Sequence, residues 1–244
     1  MAFVTVDISK RFGKMDVLRD VRFTVEENEF LVIVGPTGCG KTTIANIIAG
    51  VEPCTSGAVT IRGERVDPKK HNLSFVFQEP SCVPWKTLIN DVLMGPEIKN
   101  TPREQARRRA SEIIELVGLA GFENYYSRQL SGGMQQRVAI ARAYVTDPEL
   151  LIMDEPFGHL DAQTRYLMQG EIMRIWQQEH KTVVFITNNI EEAVFLASRV
   201  IALSKLPATI RGVHDINLPH PRNLTDPEFL RLRRILTEQC EVTD

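Results

Sequence analysis

The sequence predicts an α/β protein. A parallel sheet carries helices on both faces, a small antiparallel β subdomain lies beside it, and a helical insert interrupts it. Three observations point there. An apolar run from Phe30 to Val34 leads into Gly35-Pro36-Thr37-Gly38-Cys39-Gly40-Lys41-Thr42, and the helical stretch Thr43 to Gly50 follows. Leu150 to Met153 and Thr182 to Ile186 are continuous apolar runs, as strands buried on both faces require, with a long helical stretch between them. Short alternating strands flank the first unit on both sides.

Taken in order, Phe3 to Ile8 alternates as a strand. Val21 to Val25 alternates again, and Glu26-Glu27-Asn28 turns the chain into Phe30–Val34. After the first helix, Thr55-Ser56-Gly57 is a turn, Ala58 to Ile61 a strand, Arg62-Gly63-Glu64 a tight turn and Leu73 to Phe77 a strand. From Gln78 to Asp147 prolines at 80, 84, 96 and 102 punctuate a helical region. Within it, Arg103 to Gly118 carries apolar residues at 106, 110, 113, 114 and 117, a helical stripe. Its Arg107-Arg108-Arg109 run reads as a solvated face or as an RNA contact, and the absence of interleaved aromatics favours the first. A long helix is expected from Asp161 to His180, with Leu160, Leu167, Met168, Ile172, Ile175 and Trp176 on its buried side. Met168 and Met173 read as core filler. Glu191 to Ser198 reads as a helix, Arg199 to Leu203 as a strand, and Pro227 to Gln239 as a final helix after a turn-rich tail.

Composition bounds the function. The chain has 244 residues, enough for one domain with a sizeable core, and 43% hydrophobic with 25% charged residues is an ordinary globular mix. A net charge of −2 supplies no general attraction to nucleic acid. No apolar run approaches the ~18 residues that span a bilayer, and Met1 to Lys10 carries no signal core, so a cytosolic location is expected. Cysteines at 39, 54, 82 and 240 form neither a zinc pattern nor a disulfide framework. Cys39 reads as a small filler within the glycine loop, or as a thiol made reactive by the helix terminus.

The chemistry starts at Gly35–Thr42. Glycines let the backbone curl and aim N–H groups at oxyanions, and the helix N-terminus adds donors and partial positive charge. Lys41 is placed to reach β and γ phosphates, and the Thr42 hydroxyl to reach Mg²⁺. Asp154 and Glu155 follow the Leu150–Met153 strand, at the end where ligands collect in open α/β sheets. Asp154 stands where a P-loop protein holds its metal. Glu155 stands where a carboxylate accepts a proton from attacking water. Ser131-Gly132-Gly133 opens a helix that runs to Tyr144, a second anion-binding terminus. Two phosphate cradles and one catalytic carboxylate in one chain suggest two chains sharing two nucleotides.

Leu130-Ser131-Gly132-Gly133-Met134-Gln135-Gln136-Arg137, set between the glycine loop and Leu150-Leu151-Ile152-Met153-Asp154-Glu155-Pro156, resembles the signature motif of the ATP-binding cassette (ABC) ATPases. The resemblance covers nearly the whole chain. It implies a P-loop NTPase (RecA-like) core from 1–78 and 148–205 with the antiparallel β subdomain, a helical subdomain from 79–147 carrying the signature, and a tail from 206–244, all in a single 1–244 domain. The implied nucleotide site comprises Phe12, stacking on adenine unless it is a core residue, and Gly35, Pro36, Thr37, Gly38, Cys39, Gly40, Lys41, Thr42 and Thr43. Ser131, Gly132, Gly133, Gln135 and Asp161 serve the site of the opposite chain. Thr42, Gln78 and Asp154 are the implied Mg²⁺ residues, and Glu155, Gln78 and Asn188 the catalytic ones. Gly158-His159-Leu160-Asp161 resembles the loop that crosses to the other protomer, with His159 read as an exposed side chain.

One position departs from the family. Where a histidine is expected, the sequence reads Thr187-Asn188-Asn189-Ile190-Glu191-Glu192-Ala193. Asn188 donates a hydrogen bond but carries neither proton nor charge. The expectation is normal ATP binding and slow hydrolysis at this chain's own site, unless Asn188 positions the phosphate well enough.

Phe77-Gln78-Glu79-Pro80, Val83-Pro84-Trp85-Lys86-Thr87-Leu88 and the tail Leu218-Pro219-His220-Pro221-Arg222 are similar to importer subunits for nitrate, sulfonate, taurine and related solutes. That likeness implies a transmembrane permease, a second ATP-binding subunit, a solute-binding protein reached through the complex, and a peripheral place on the cytoplasmic face of the inner membrane. Pro84-Trp85 reads as a piece of the permease contact or as local packing. A soluble ABC ATPase and a regulatory subunit with little turnover stay open beside the importer.

Overall fold

A computed structural model describes residues 2–241. The chain forms two compact units, Met1–His71 with Lys181–Asp244, and Asn72–His180.

The first unit opens with β1 (Val4–Phe12) and β2 (Met15–Val25), joined by a hairpin at Gly13-Lys14. β3 (Phe30–Val34), α1 (Lys41–Ile48), β4 (Ser56–Ile61) and β5 (Glu64–Arg65) follow. β1 lies between β2 and β4, antiparallel to both, and β5 pairs with β4. This is the expected antiparallel subdomain. The Arg62-Gly63 turn holds φ values of 49° and 83°. Two successive positive φ angles match the right-handed twist of the flanking strands.

The second unit contains β6 (Leu73–Val76), α2 (Leu88–Val92), α3 (Met94–Ile98), α4 (Arg103–Leu116), α5 (Gly132–Tyr144), β7 (Leu150–Asp154) and α6 (Ala162–Glu179). β6 and β7 pair in parallel. The stripe expected on α4 is buried at Ala106, Ala110, Ile113 and Ile114, with Val117 just beyond. Its basic run is laced by carboxylates: Arg108 pairs with Glu112, and Arg109 with Glu112 and Glu179. The buried side of α6 differs from the expectation. Leu167 is 57% exposed and Trp176 only half-buried, while Met168, Gln169, Ile172, Met173 and Ile175 face inward. The stripe 168–172–175 fixes the helix phase, and position 167 falls about 100° away from 168 around the axis.

The chain then returns to the first unit with β8 (Thr182–Thr187), α7 (Ile190–Leu196), β9 (Arg199–Leu203), β10 (Ile210–Asp215) and α8 (Pro227–Glu241). β3 is flanked by β8 and β9, both parallel, and β10 runs antiparallel to β9. Every residue of β3 and β8 is buried. The rings of Phe30 and Phe185 stack 5.8 Å apart. Burying one such side chain contributes about 1.5–3 kcal/mol, so this strand pair is a stiff platform for what lies at its C-terminal edge.

Candidate functional site

The C-terminal end of β3 runs directly into the glycine loop. Gly38 and Gly40 hold φ values of 78° and 106°, and Gly40 is the N-cap of α1. A Cβ on Gly40 would stand 2.9 Å from Val17 Cγ1 and 3.0 Å from Leu18 Cδ2, so β2 closes the loop from outside. Gly35 is tight against Leu203 and Cys39. Gly40 therefore needs glycine on two independent grounds, dihedral angle and space, Gly38 on the first and Gly35 on the second.

Lys41 is buried at the start of α1. Its ammonium donates to the carbonyls of Gly35 and Pro36, each at 3.0 Å. Thr37, Gly38 and Thr42 are exposed and Thr43 is half-buried. Cys39 is 2% exposed, and its N–H donates to the Pro36 carbonyl at 3.2 Å. The buried thiol acts as filler, and its own N–H closes a turn within the loop. Cys240, near the end of α8, lines a cleft beside this loop, and burial pushes its thiol up to about 11.

Two more expected residues lie in this unit. Phe12 ends β1, 45% exposed, with Lys10 Nζ 4.5 Å from its ring centroid. Lys10 also pairs with Glu52 and bonds the Pro53 carbonyl at 2.6 Å, so its charge is held in place. Asn188 follows β8, and its amide donates to Thr37 Oγ1 at 3.4 Å. Asn189 caps α7 by accepting from the Glu192 N–H at 3.2 Å. β8 and α7 thus bring Asn188, at the position where a histidine is expected, to the glycine loop.

The other expected residues sit in the Asn72–His180 unit. Asp154 ends β7, buried, and Glu155 follows with φ 43°. A positive φ at a non-glycine residue is uncommon, and it turns the chain sharply at the strand end. Gln78 is exposed just past β6. A Cβ on Gly158 would meet Gln78 Nε2 at 3.0 Å and the Glu155 carbonyl at 3.3 Å. Gly158 therefore leaves the room in which the Gln78 side chain lies beside the turn after Glu155. His159 is exposed.

Ser131 caps α5 by accepting from the Met134 N–H at 3.3 Å. Gly132 is exposed, and a Cβ on Gly133 would stand 2.9 Å from Thr164 Cγ2 in the first turn of α6. Gln135 spends its amide on the Ser127 and Leu130 carbonyls, at 3.0 and 3.2 Å. It shapes the loop leading into α5. Asp161 caps α6 by accepting from the Thr164 N–H at 3.0 Å, and this bond holds its carboxyl below the usual range.

Sequence reasoning gave Lys10 no role, because its partners are Glu52 and Pro53, far along the chain. It named Gly158 as the first residue of the crossing loop, but not the room that Gly158 leaves for the Gln78 side chain.

Residues 18–158 match the ABC transporter family. An uncharacterized ABC transporter ATP-binding protein of Methanocaldococcus jannaschii is 46% identical, covering 91% of this chain and 83% of that protein. The aliphatic sulfonates import ATP-binding protein SsuB of Bacillus cereus is 39% identical, over 98% and 96% of the two chains. The taurine import ATP-binding protein TauB of Escherichia coli O157:H7 is also 39% identical, over 91% and 90%. A dimeric ATP-binding cassette solved in a post-hydrolysis state with ADP and Pi aligns with a TM-score of 0.74 at 30% identity, covering 88% of this chain and all of that one. Among the described residues no helix is long and apolar enough to cross a membrane. The match over the glycine loop and the signature, with relatives aligned over nearly the full length, makes the chain an ATP-binding member of the ABC transporter family.

Proposed function

We propose that this chain is the ATP-hydrolysing subunit of a membrane importer for a small sulfonate-like solute, with a slow site of its own. One observation carries the ATP part. The loop Gly35–Thr42 is held open by two left-handed glycines on the N-terminus of α1, with a buried lysine already bonded inside it. N–H groups there and the α1 dipole favour phosphate. Lys41 adds the charge that the β and γ oxygens call for. Relatives named for sulfonate and taurine import support the solute class.

In this reading Phe12 stacks on the adenine and Thr43 lies under the phosphates. Thr42, Asp154 and Gln78 offer oxygen donors alone, the set that Mg²⁺ takes. When bound, that ion neutralises charge on the phosphate oxygens. Glu155 accepts a proton from water that Gln78 helps to orient. Ser131, Gly132, Gly133, Gln135 and Asp161 complete the site of a second ATP-binding subunit. A permease, a solute-binding protein reached through it, and the cytoplasmic membrane face complete the setting, with no role for nucleic acid. We also propose the division into a core of 1–78 and 148–205, a helical subdomain of 79–147 and a tail of 206–244.

Asn188 supports slow turnover, because its amide reaches Thr37 yet holds no exchangeable charge. A single-turnover assay on the complex purified from detergent-solubilised membranes tests this. Asn188→His is expected to raise the rate by about 10²-fold, at the low end for an acid–base group. No gain refutes the slow-site reading. A preparation from which no integral membrane partner co-purifies refutes the importer.

A further inference from the structure

Resting on the reading of the chain as an ATPase, we propose that Asp91 and Arg142 are positioning residues that bind the segment after Gln78 to the signature helix α5, so that the two move as one body. The geometry is local to the Asn72–His180 unit. Asp91, on α2, is fully buried and uses both oxygens. Oδ1 accepts from Arg142 Nη1 at 2.9 Å and Oδ2 accepts from the Val83 N–H at 2.7 Å. Arg142, in the last turn of α5, also donates to the Ser81 carbonyl at 2.7 Å and to the Ser81 hydroxyl at 2.6 Å. One guanidinium therefore holds a loop residue at two points and a buried carboxylate at a third. A planar fork meets such a demand and an ammonium does not.

The same segment is tied at its other side. The Cys82 thiol donates to the Gln135 carbonyl at 3.3 Å, and the Ser127 hydroxyl to the Val83 carbonyl at 3.4 Å. Gln135 in turn donates to the Ser127 and Leu130 carbonyls, directly before Ser131. A continuous path of hydrogen bonds thus runs from Ser81–Val83 to the loop that presents Ser131. Gln78 lies three residues before Ser81, and Trp85, 78% exposed, two residues after Val83. A push on the Trp85 surface thus meets α5 at both ends: at its last turn through Asp91 and Arg142, and at the loop before Ser131 through Val83, Ser127 and Gln135.

Asp91→Asn tests this. It keeps the shape but leaves one acceptor where two are used. Hydrogen–deuterium exchange on the full chain is expected to speed up at least severalfold at both Ser81–Trp85 and Ser127–Gln135, with Gly35–Ile44 unchanged. In the permease complex, turnover is expected to fall about tenfold, since small misplacements of catalytic groups cost that much or more, while ATP affinity of the isolated chain stays within about twofold. Arg142→Lys, which keeps a charge for Asp91 and gives up part of the Ser81 contact, is expected to show the same exchange pattern more weakly, and serves if the first variant does not fold. Faster exchange at Ser81–Trp85 alone, faster exchange everywhere including Gly35–Ile44, or no change overturns the proposal. If the unaltered complex turns over no ATP, the ATPase reading fails, and the exchange pattern still decides the positioning role.

Discussion

Arg222→Met should destabilise the protein by about 3 kcal/mol. Arg222 is 6% exposed in the first unit, and its guanidinium bonds backbone carbonyls. Nη1 reaches Val194 and Ala197, both at 2.7 Å, with a weaker arm to Phe195 at 3.3 Å. Nη2 reaches Ile216 at 3.2 Å and Nε reaches Leu218 at 3.1 Å. The carbonyls of Val194, Phe195 and Ala197 belong to the C-terminal end of α7, where a cation is favourable. Four well-formed charge-assisted bonds at about 1.5 kcal/mol each give about 6 kcal/mol. Burial opposes this: it pulls the guanidinium down from its ordinary value to about 10, a cost of about 3 kcal/mol. Methionine keeps much of the stem packing and removes all the donors. For a chain of this size the net loss corresponds to a Tm lower by about 6–12 °C. Urea denaturation followed by circular dichroism measures the loss, with the slope checked for two-state behaviour. A loss below about 1 kcal/mol would mean that water satisfies those carbonyls as well as Arg222 does, and the reasoning would be wrong.

Three further outcomes are expected. Gly40→Ala forces a side chain into φ 106° and against Val17, so ATP affinity should fall more than about tenfold in a fluorescent-nucleotide titration, and unchanged affinity refutes the loop geometry. Gly158→Ala should displace the Gln78 amide and lower turnover about three- to tenfold with ATP affinity intact, and equal losses in both would point to a general packing defect instead. His220 is lowered to about 4, by burial first and by Arg222 second. The unfolded chain then binds a proton that the folded chain refuses between pH about 6.5 and about 4. Stability that is fully present above pH about 6.5 should decline by about 1 kcal/mol on acidification through that window, the half-exposed ring being screened. His220→Gln should remove that part of the slope.

The elements that sequence made legible are those whose apolar pattern is self-contained. Phe30–Val34 and Val183–Ile186 are apolar along their whole length, as a strand buried on both faces requires. The glycine loop and the Ser131 cap are legible because backbone geometry restricts them to a few residue types. Met15–Asp20, the first half of β2, was missed because Val17 and Leu18 are buried side by side while Met15, Arg19 and Asp20 are exposed, which breaks the alternation. The side of α6 at Leu167 was misjudged because hydrophobicity alone cannot say which of two adjacent apolar residues looks inward. Charged residues were the least legible. Arg222 was noted only as part of a tail motif, and the carbonyls of Val194, Phe195 and Ala197 that it bonds lie 25–28 residues back in α7 and its end. Asp91 and Arg142 meet across 51 residues, and nothing local in either segment announces a buried pair. Their burial follows from partners that only tertiary structure brings near.

The Lys41 ammonium ties the end of the loop back to its first two residues, Gly35 and Pro36, so Lys41 shapes the loop as well as charging it. A neutral substitution at 41 therefore removes two backbone anchors together with the cation. Weaker nucleotide binding in such a variant measures the sum of the two, and only a variant that keeps the donors separates loop shape from phosphate charge.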